Sequence, residues 1–130
     1  MLASANLFLL LSAISGFLSV AFGAFGAHAL KASLDEYHLK VFHTGVDYQF
    51  YHTFALALVG LLLLRGDQPL LRASGYSFLV GTVIFSGSLY LLALTRVGKW
   101  GAVTPIGGLA FLVGWVLLAV AACRIVKVDG

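Results

Sequence analysis

Four long apolar runs alternate with short polar stretches along this chain of 130 residues. The first extends from Leu7 to Ala27, the second from about Gly45 to Leu64, the third from Ala73 to Leu94 and the fourth from Thr104 to Cys123. About twenty apolar residues cross the hydrocarbon core of a bilayer as a helix, so each run is long enough for one span. Short connections join helices as antiparallel neighbours. The pattern therefore predicts an all-α integral membrane protein: a four-helix up-down-up-down bundle, with residues 1–130 forming one transmembrane domain.

The polar stretches punctuate the runs. Ser33-Leu34-Asp35-Glu36 has the form of a capping box, with Ser33 as N-cap and Glu36 three positions on. It predicts a short interfacial helix between spans 1 and 2, carrying Leu34, Tyr37 and Val41 on its membrane side. Gly45 then marks the expected bend into span 2. Arg65-Gly66-Asp67-Gln68-Pro69 ends that span, because glycine and proline interrupt a helix and the charges meet water. Arg96, Gly98 and Lys99 form the third connection, with Trp100 placed for the headgroup belt. Thr104-Pro105 is a helix start, threonine as N-cap and proline at the first helical position. Ala27-His28-Ala29 has the small-x-small spacing of a signal-peptidase site. The missing basic n-region and the length of the apolar run argue instead for a retained span.

Composition sharpens the picture. A content of 61% hydrophobic and 10% charged residues, with mean hydropathy +1.01, lies outside the range of soluble domains. A soluble domain of this size has too little interior to hide so much apolar surface. The lipid bilayer is the first partner implied. The net charge of +3 comes from eight Lys and Arg residues scattered at the ends of the runs. Nucleic-acid binding needs such charges clustered on one face, so it is excluded. A single cysteine, Cys123, rules out an intramolecular disulfide or a multi-cysteine metal site. The lone methionine argues against thioether copper ligation. Lys31, Lys40, Arg96 and Lys99 lie at one end of the bundle, and Arg65, Arg72, Arg124 and Lys127 at the other, so the positive-inside rule ties. The very short loop bracketed by Arg65 and Arg72 favours both termini in the cytoplasm.

The polar residues are not evenly spread. The stretch His28–His52 holds all four histidines and lies between the first two spans. In an up-down bundle the end of span 1, the start of span 2, the end of span 3 and the start of span 4 meet at one membrane face. His28, Tyr48, Gln49, His52, Ser86, Ser88, Tyr90 and Thr104 are thereby gathered as candidate site residues. On a helix Gly45, Tyr48, Gln49 and His52 share a side, expected to face His28 and the Ser86–Tyr90 end of span 3. His43 and Asp47 lie across from them and are placed to pair. An imidazole or a carboxamide turned to lipid has no water to replace its hydrogen bonds, which is why these groups are expected inside. The plainer role is a hydrogen-bonded clasp between helices. A pocket for a small molecule or ion is the functional alternative, and ligation of haem or a metal by His28 and His52 a third. No H-E-x-x-H, G-x-S-x-G or phosphate loop is present, so no catalytic residue is assigned. Ser15, Ser19, Gly23 and Ala27, four residues apart, form a seam along which another helix can approach closely.

The converging segments GAFGAHALK, FHTGVDYQFYH, FSGSLYLLAL and TPIGGLAFLVGW, in this order, resemble the YgdD/YwdK family of small bacterial inner-membrane proteins. That family is a domain of unknown function related to transmembrane protein 256 of animals, and the resemblance covers about residues 14–115. It implies a four-span, multi-pass protein of the bacterial inner membrane and brings no activity, substrate or cofactor with it. Together with the residues, it leads to the expectation of a non-catalytic accessory or scaffold protein that meets itself or a membrane partner through small-residue seams. A carrier for a small molecule, lipid or ion at the His28/His52 end is the alternative.

Overall fold

The computed structural model describes the backbone of residues 2–129 and the side chains of residues 3–125. Met1 and the Lys127 side chain lie outside the described residues. Helix α1 (Leu2–Val20) continues through a π-helical segment (Ala21–Gly26) into the single turn α2 (Ala27–Leu30). Helices α3 (Glu36–Arg65), α4 (Pro69–Thr95) and α5 (Thr104–Asp129) follow, with a 3₁₀ turn at Gly98–Ala102 before the last. Among the described residues there is no strand. Four stretches are long and apolar enough to cross a membrane: Ala3–Leu30, Glu36–Arg65, Pro69–Thr95 and Gly98–Ile125. They are spans 1 to 4. Helix α3 packs on α1 and α4, and α4 packs on α5, so the spans lie side by side in chain order.

Small residues let the helices approach, and aromatic rings fill the space. In a membrane, helix association depends on packing of this kind, since lipid is as apolar as leucine. A Cβ added at Gly75 would stand 2.5 Å from the Phe8 ring, one at Gly81 2.4 Å from Phe111, and one at Gly114 2.7 Å from Phe78. At Gly107 the neighbour is backbone: its Cβ would meet the Phe85 nitrogen at 2.4 Å, so here α5 lies directly on the main chain of α4. The seam on span 1 is present. Ser19 is fully buried, Ala27 nearly so, and a Cβ on Gly23 would touch Val46 at 3.0 Å.

The stretch expected as a separate surface helix is helical but continuous with span 2. Helix α3 has 30 residues, roughly 45 Å at 1.5 Å per residue, and so overreaches a 30 Å hydrocarbon core at its start. Gly45 does not interrupt the helix. That glycine is buried and answers a packing need instead, because a Cβ there would lie 2.8 Å from the Tyr90 ring. The capping box is likewise replaced. Asp35, in extended conformation, holds the N-cap position, and its carboxylate turns to His38 Nδ1 at 2.5 Å. This hydrogen bond holds the Asp35 carboxyl below the usual carboxylate range. The Ser33 hydroxyl donates back to the Leu30 carbonyl at 3.3 Å.

The connections are tied at both ends. Arg72 pairs with Asp67 across the turn between α3 and α4. Arg96 closes α4 in the left-handed region (φ 59°), its N–H bonded to the Leu92 carbonyl. Its guanidinium reaches the Ser33 carbonyl at 2.7 Å, joining the two loops at the polar end.

Candidate functional site

Three sets of polar groups inside the bundle involve the candidate residues. The first is built around Gln49, which α3 presents to both neighbours from a buried position. Its amide nitrogen donates to the Ser15 carbonyl at 3.1 Å and to the Ser15 hydroxyl at 3.3 Å. Its amide oxygen accepts from the Tyr90 hydroxyl at 2.6 Å. Ser15 and Thr53 share a hydroxyl–hydroxyl bond of 2.7 Å. One continuous chain of hydrogen bonds thus runs from α4 through α3 to α1 and back to α3. An amide has two donors and two acceptor lone pairs, so it can serve both neighbouring helices at once.

The second set stitches α4 to its neighbours. The Ser86 hydroxyl donates to the Gly45 carbonyl at 2.7 Å. Ser88 meets the Thr104 hydroxyl at 2.6 Å. Thr104 also donates to the Trp100 carbonyl at 3.3 Å, so its hydroxyl serves the connection and not the N-cap expected of it.

The third set is His52. Its Nδ1 lies 2.7 Å from the Tyr48 carbonyl, and its Nε2 accepts the Trp115 indole N–H at 3.1 Å. An indole can only donate, so Nε2 carries the lone pair and Nδ1 the proton: a neutral imidazole with its tautomer set by its partners. The ring stacks on Phe111 with centroids 3.4 Å apart and planes at 5°. Both nitrogens are engaged, so His52 offers no free lone pair to a metal in this arrangement.

Of the eight candidate residues, Gln49, Ser86, Ser88, Tyr90 and Thr104 are brought into these bonds as clasp members. His52 is buried too, but it faces Trp115 on α5 and not the Ser86–Tyr90 end. Two candidates are displaced. His28 is exposed on α2. Gly26, just before it, packs against Phe42, and His52 lies roughly 15 Å further along α3 than Phe42, so the two histidines do not meet. Tyr48 is 40% exposed and turns towards Phe85 and Phe111 instead of the interior. The expected pairing of His43 with Asp47 is absent too: both are exposed and no bond joins them. Among the described residues no cluster of three or more His, Cys, Asp or Glu has the geometry of a metal site.

The sequence pattern does not single out Thr53 or Trp115, and it places Ser15 only in a packing seam. A tryptophan in mid-span carries one N–H that must find an acceptor. That requirement points to a histidine at the same depth.

Two hollows flank the α3–α4 ridge. A cleft of about 360 Å³ opens between α1 and α4, with Leu11, Ile14, Leu18 and Val83 among its walls and Gln49 and Thr53 on its floor. A groove of about 580 Å³ runs between α3 and α5, past Tyr48, His52, Phe85 and Trp115. Among the described residues no buried side-chain nitrogen or oxygen lacks a hydrogen-bond partner.

Residues 22–108 match the family described as "Protein of unknown function (DUF423)". The chain is 42% identical over 121 residues to the UPF0382 membrane protein YwdK of Bacillus subtilis, covering 92% of this chain and 98% of that protein. It is 43% identical over 117 residues to the UPF0382 inner membrane protein YgdD of Escherichia coli, covering 90% of this chain and 89% of that one. A UPF0382 membrane protein of Staphylococcus haemolyticus is 40% identical over 122 residues, with 93% and 98% covered. No solved structure matches the chain.

Proposed function

The chain belongs to the DUF423 family of membrane proteins, and from that premise we propose that it is a non-catalytic accessory or scaffold protein whose polar end fastens its own spans together. One observation carries this: the buried hydroxyls, the carboxamide and the imidazole are all engaged by other groups of the same protein. A catalytic serine needs a base within hydrogen-bond reach. Here Ser86 is given to a backbone carbonyl and His52 to an indole and a carbonyl. The floor of the α1–α4 cleft is built from the same engaged groups, so it presents no spare donor to a polar ligand.

In a deletion strain carrying Gln49→Leu, Ser86→Ala or Thr53→Ala, fitness in competitive growth should fall only as far as membrane abundance falls. A variant present at the normal level yet no better than the deletion would contradict a clasp and point to chemistry at that residue.

The bacterial inner membrane is the protein's setting, and both termini are assigned to the cytoplasm. An alkaline phosphatase fused after residue 130 should therefore be inactive in cells, while an active fusion would invert the topology.

A further inference from the structure

The packing of the chain accounts for every glycine within its helices except one. Among the described glycines of α1, α3, α4 and α5, only Gly87 would meet nothing within 4 Å if it carried a Cβ. A glycine weakens a helix interior relative to alanine, and in membrane helices small residues serve the close approach of a neighbour. Gly87 lies half-buried in α4 and lines the cleft between α1 and α4. A fluid acyl chain fills hollows at any depth and gains little from a side chain missing at one position. A rigid knob held at a fixed depth gains a seat.

The same surface carries such a knob. Phe17 on α1 is 74% exposed. Its depth follows from the two ring contacts that bridge α1 and α4, Phe8 with Tyr76 at 5.1 Å and Phe22 with Tyr90 at 5.4 Å. Equal numbers of residues separate these rings on each helix, so the two parallel helices run in step and Phe17 stands level with Phe85. Gly87 is two residues further along, about 3 Å at 1.5 Å per residue. Direction fits as well. At about 100° per residue, Ile14 lies on α1 between Phe17 on one side and the cleft-lining Leu11 and Leu18 on the other.

Two copies inserted the same way round are related by a two-fold axis along the membrane normal, which pairs points of equal depth. With that axis beside Ile14, the Phe17 of each copy faces the cleft of the other. Knob and hollow then form one self-complementary patch. The cleft of about 360 Å³ has room for a ring, since an apolar cavity of about 150 Å³ takes benzene.

We propose that this face is a homodimer interface, in which Phe17 of each copy enters the α1–α4 cleft of the other and packs over Gly87. The contact uses none of the clasp's hydrogen bonds, so it goes beyond that reading and stands or falls apart from it.

The full chain, with Cys123→Ser removing its one cysteine, takes Ile14→Cys as a reporter at the axis. In membranes of the expressing cells, oxidation with copper phenanthroline should give a disulfide-linked dimer. Val113→Cys, half-exposed on α5, should not. Adding Phe17→Ala or Gly87→Leu should cut the linked fraction about tenfold, the order expected when one interface anchor is lost. Because the new side chain at residue 87 starts in open space, Gly87→Leu should leave the melting temperature of the monomer in detergent unchanged. A linked fraction from Ile14→Cys no higher than from Val113→Cys would overturn the interface and leave the cleft to lipid. So would a fraction unmoved by both Phe17→Ala and Gly87→Leu. Phe17→Ala trims an exposed ring, so it keeps the test open should Gly87→Leu fail to fold.

Discussion

Gly107→Ala should be among the most destabilising single-methyl substitutions in this protein, costing about 3 kcal/mol or more, while Gly108→Ala next to it should change stability by less than about 0.5 kcal/mol. The asymmetry follows from what each new methyl would meet. At Gly107 it would stand 2.4 Å from the Phe85 nitrogen and 2.8 Å from its Cα. Backbone cannot rotate aside, so α5 must lift off α4, and the cost spreads to contacts that depend on the same separation. These include the Ser88–Thr104 bond near the polar end, the Ser74 hydroxyl on the Gly114 carbonyl, and the seating of Phe111 against Gly81. At Gly108 the methyl would meet the Phe85 ring at 3.9 Å, an ordinary contact. Thermal unfolding of both variants in the same detergent, followed by circular dichroism, measures the difference. Similar losses in the two variants would mean that the α4–α5 approach is not as close as described.

His52→Leu should cost about 2 kcal/mol and should alter the Trp115 emission spectrum. The substitution removes the bond to the Tyr48 carbonyl and the stack on Phe111, and it leaves the Trp115 N–H without an acceptor in an apolar setting. An unsatisfied donor of this kind costs about 1–3 kcal/mol. If that loss is a large part of the total, Trp115→Phe should matter much less in the His52→Leu background than in the wild type, since there is no acceptor left to abandon. Reversible unfolding of the two single variants and the double variant gives the answer. Additive losses would show that the indole and the imidazole are merely neighbours.

The four spans were legible because their signal is coarse: long apolar runs with charges at the ends. The seam of Ser15, Ser19, Gly23 and Ala27 was legible because four-residue spacing keeps small side chains on one face. The convergence of Ser88, Tyr90 and Thr104 followed from topology alone. What escaped depended on neighbours. Gly45 carries the same local signal whether it bends a helix or admits a ring, and only the position of Tyr90 decides between them. Topology puts His28 at the right membrane face but does not set which way it points, and the π-helical Ala21–Gly26 segment just before it widens the turn and changes that facing. Tyr48 lies at the edge of the buried arc of α3. Whether such a residue turns inward or along the surface depends on where α5 stands, which helical periodicity does not contain. The partner of His52 comes from α5, 63 residues away, and only the rule that a buried indole needs an acceptor connects them in advance.

The polar residues of this bundle bond one helix to the next. The most direct test is a double-mutant cycle on Gln49 and Tyr90, using Gln49→Leu and Tyr90→Phe, with unfolding measured in a bilayer or in bicelles. The Tyr90 hydroxyl has Gln49 as its acceptor across the α3–α4 interface. A coupling of about 0.6 kcal/mol, reaching about 1.7 kcal/mol for the strongest such pairs in membranes, is the predicted result. A coupling indistinguishable from zero, with both single variants as stable as the wild type, would contradict it.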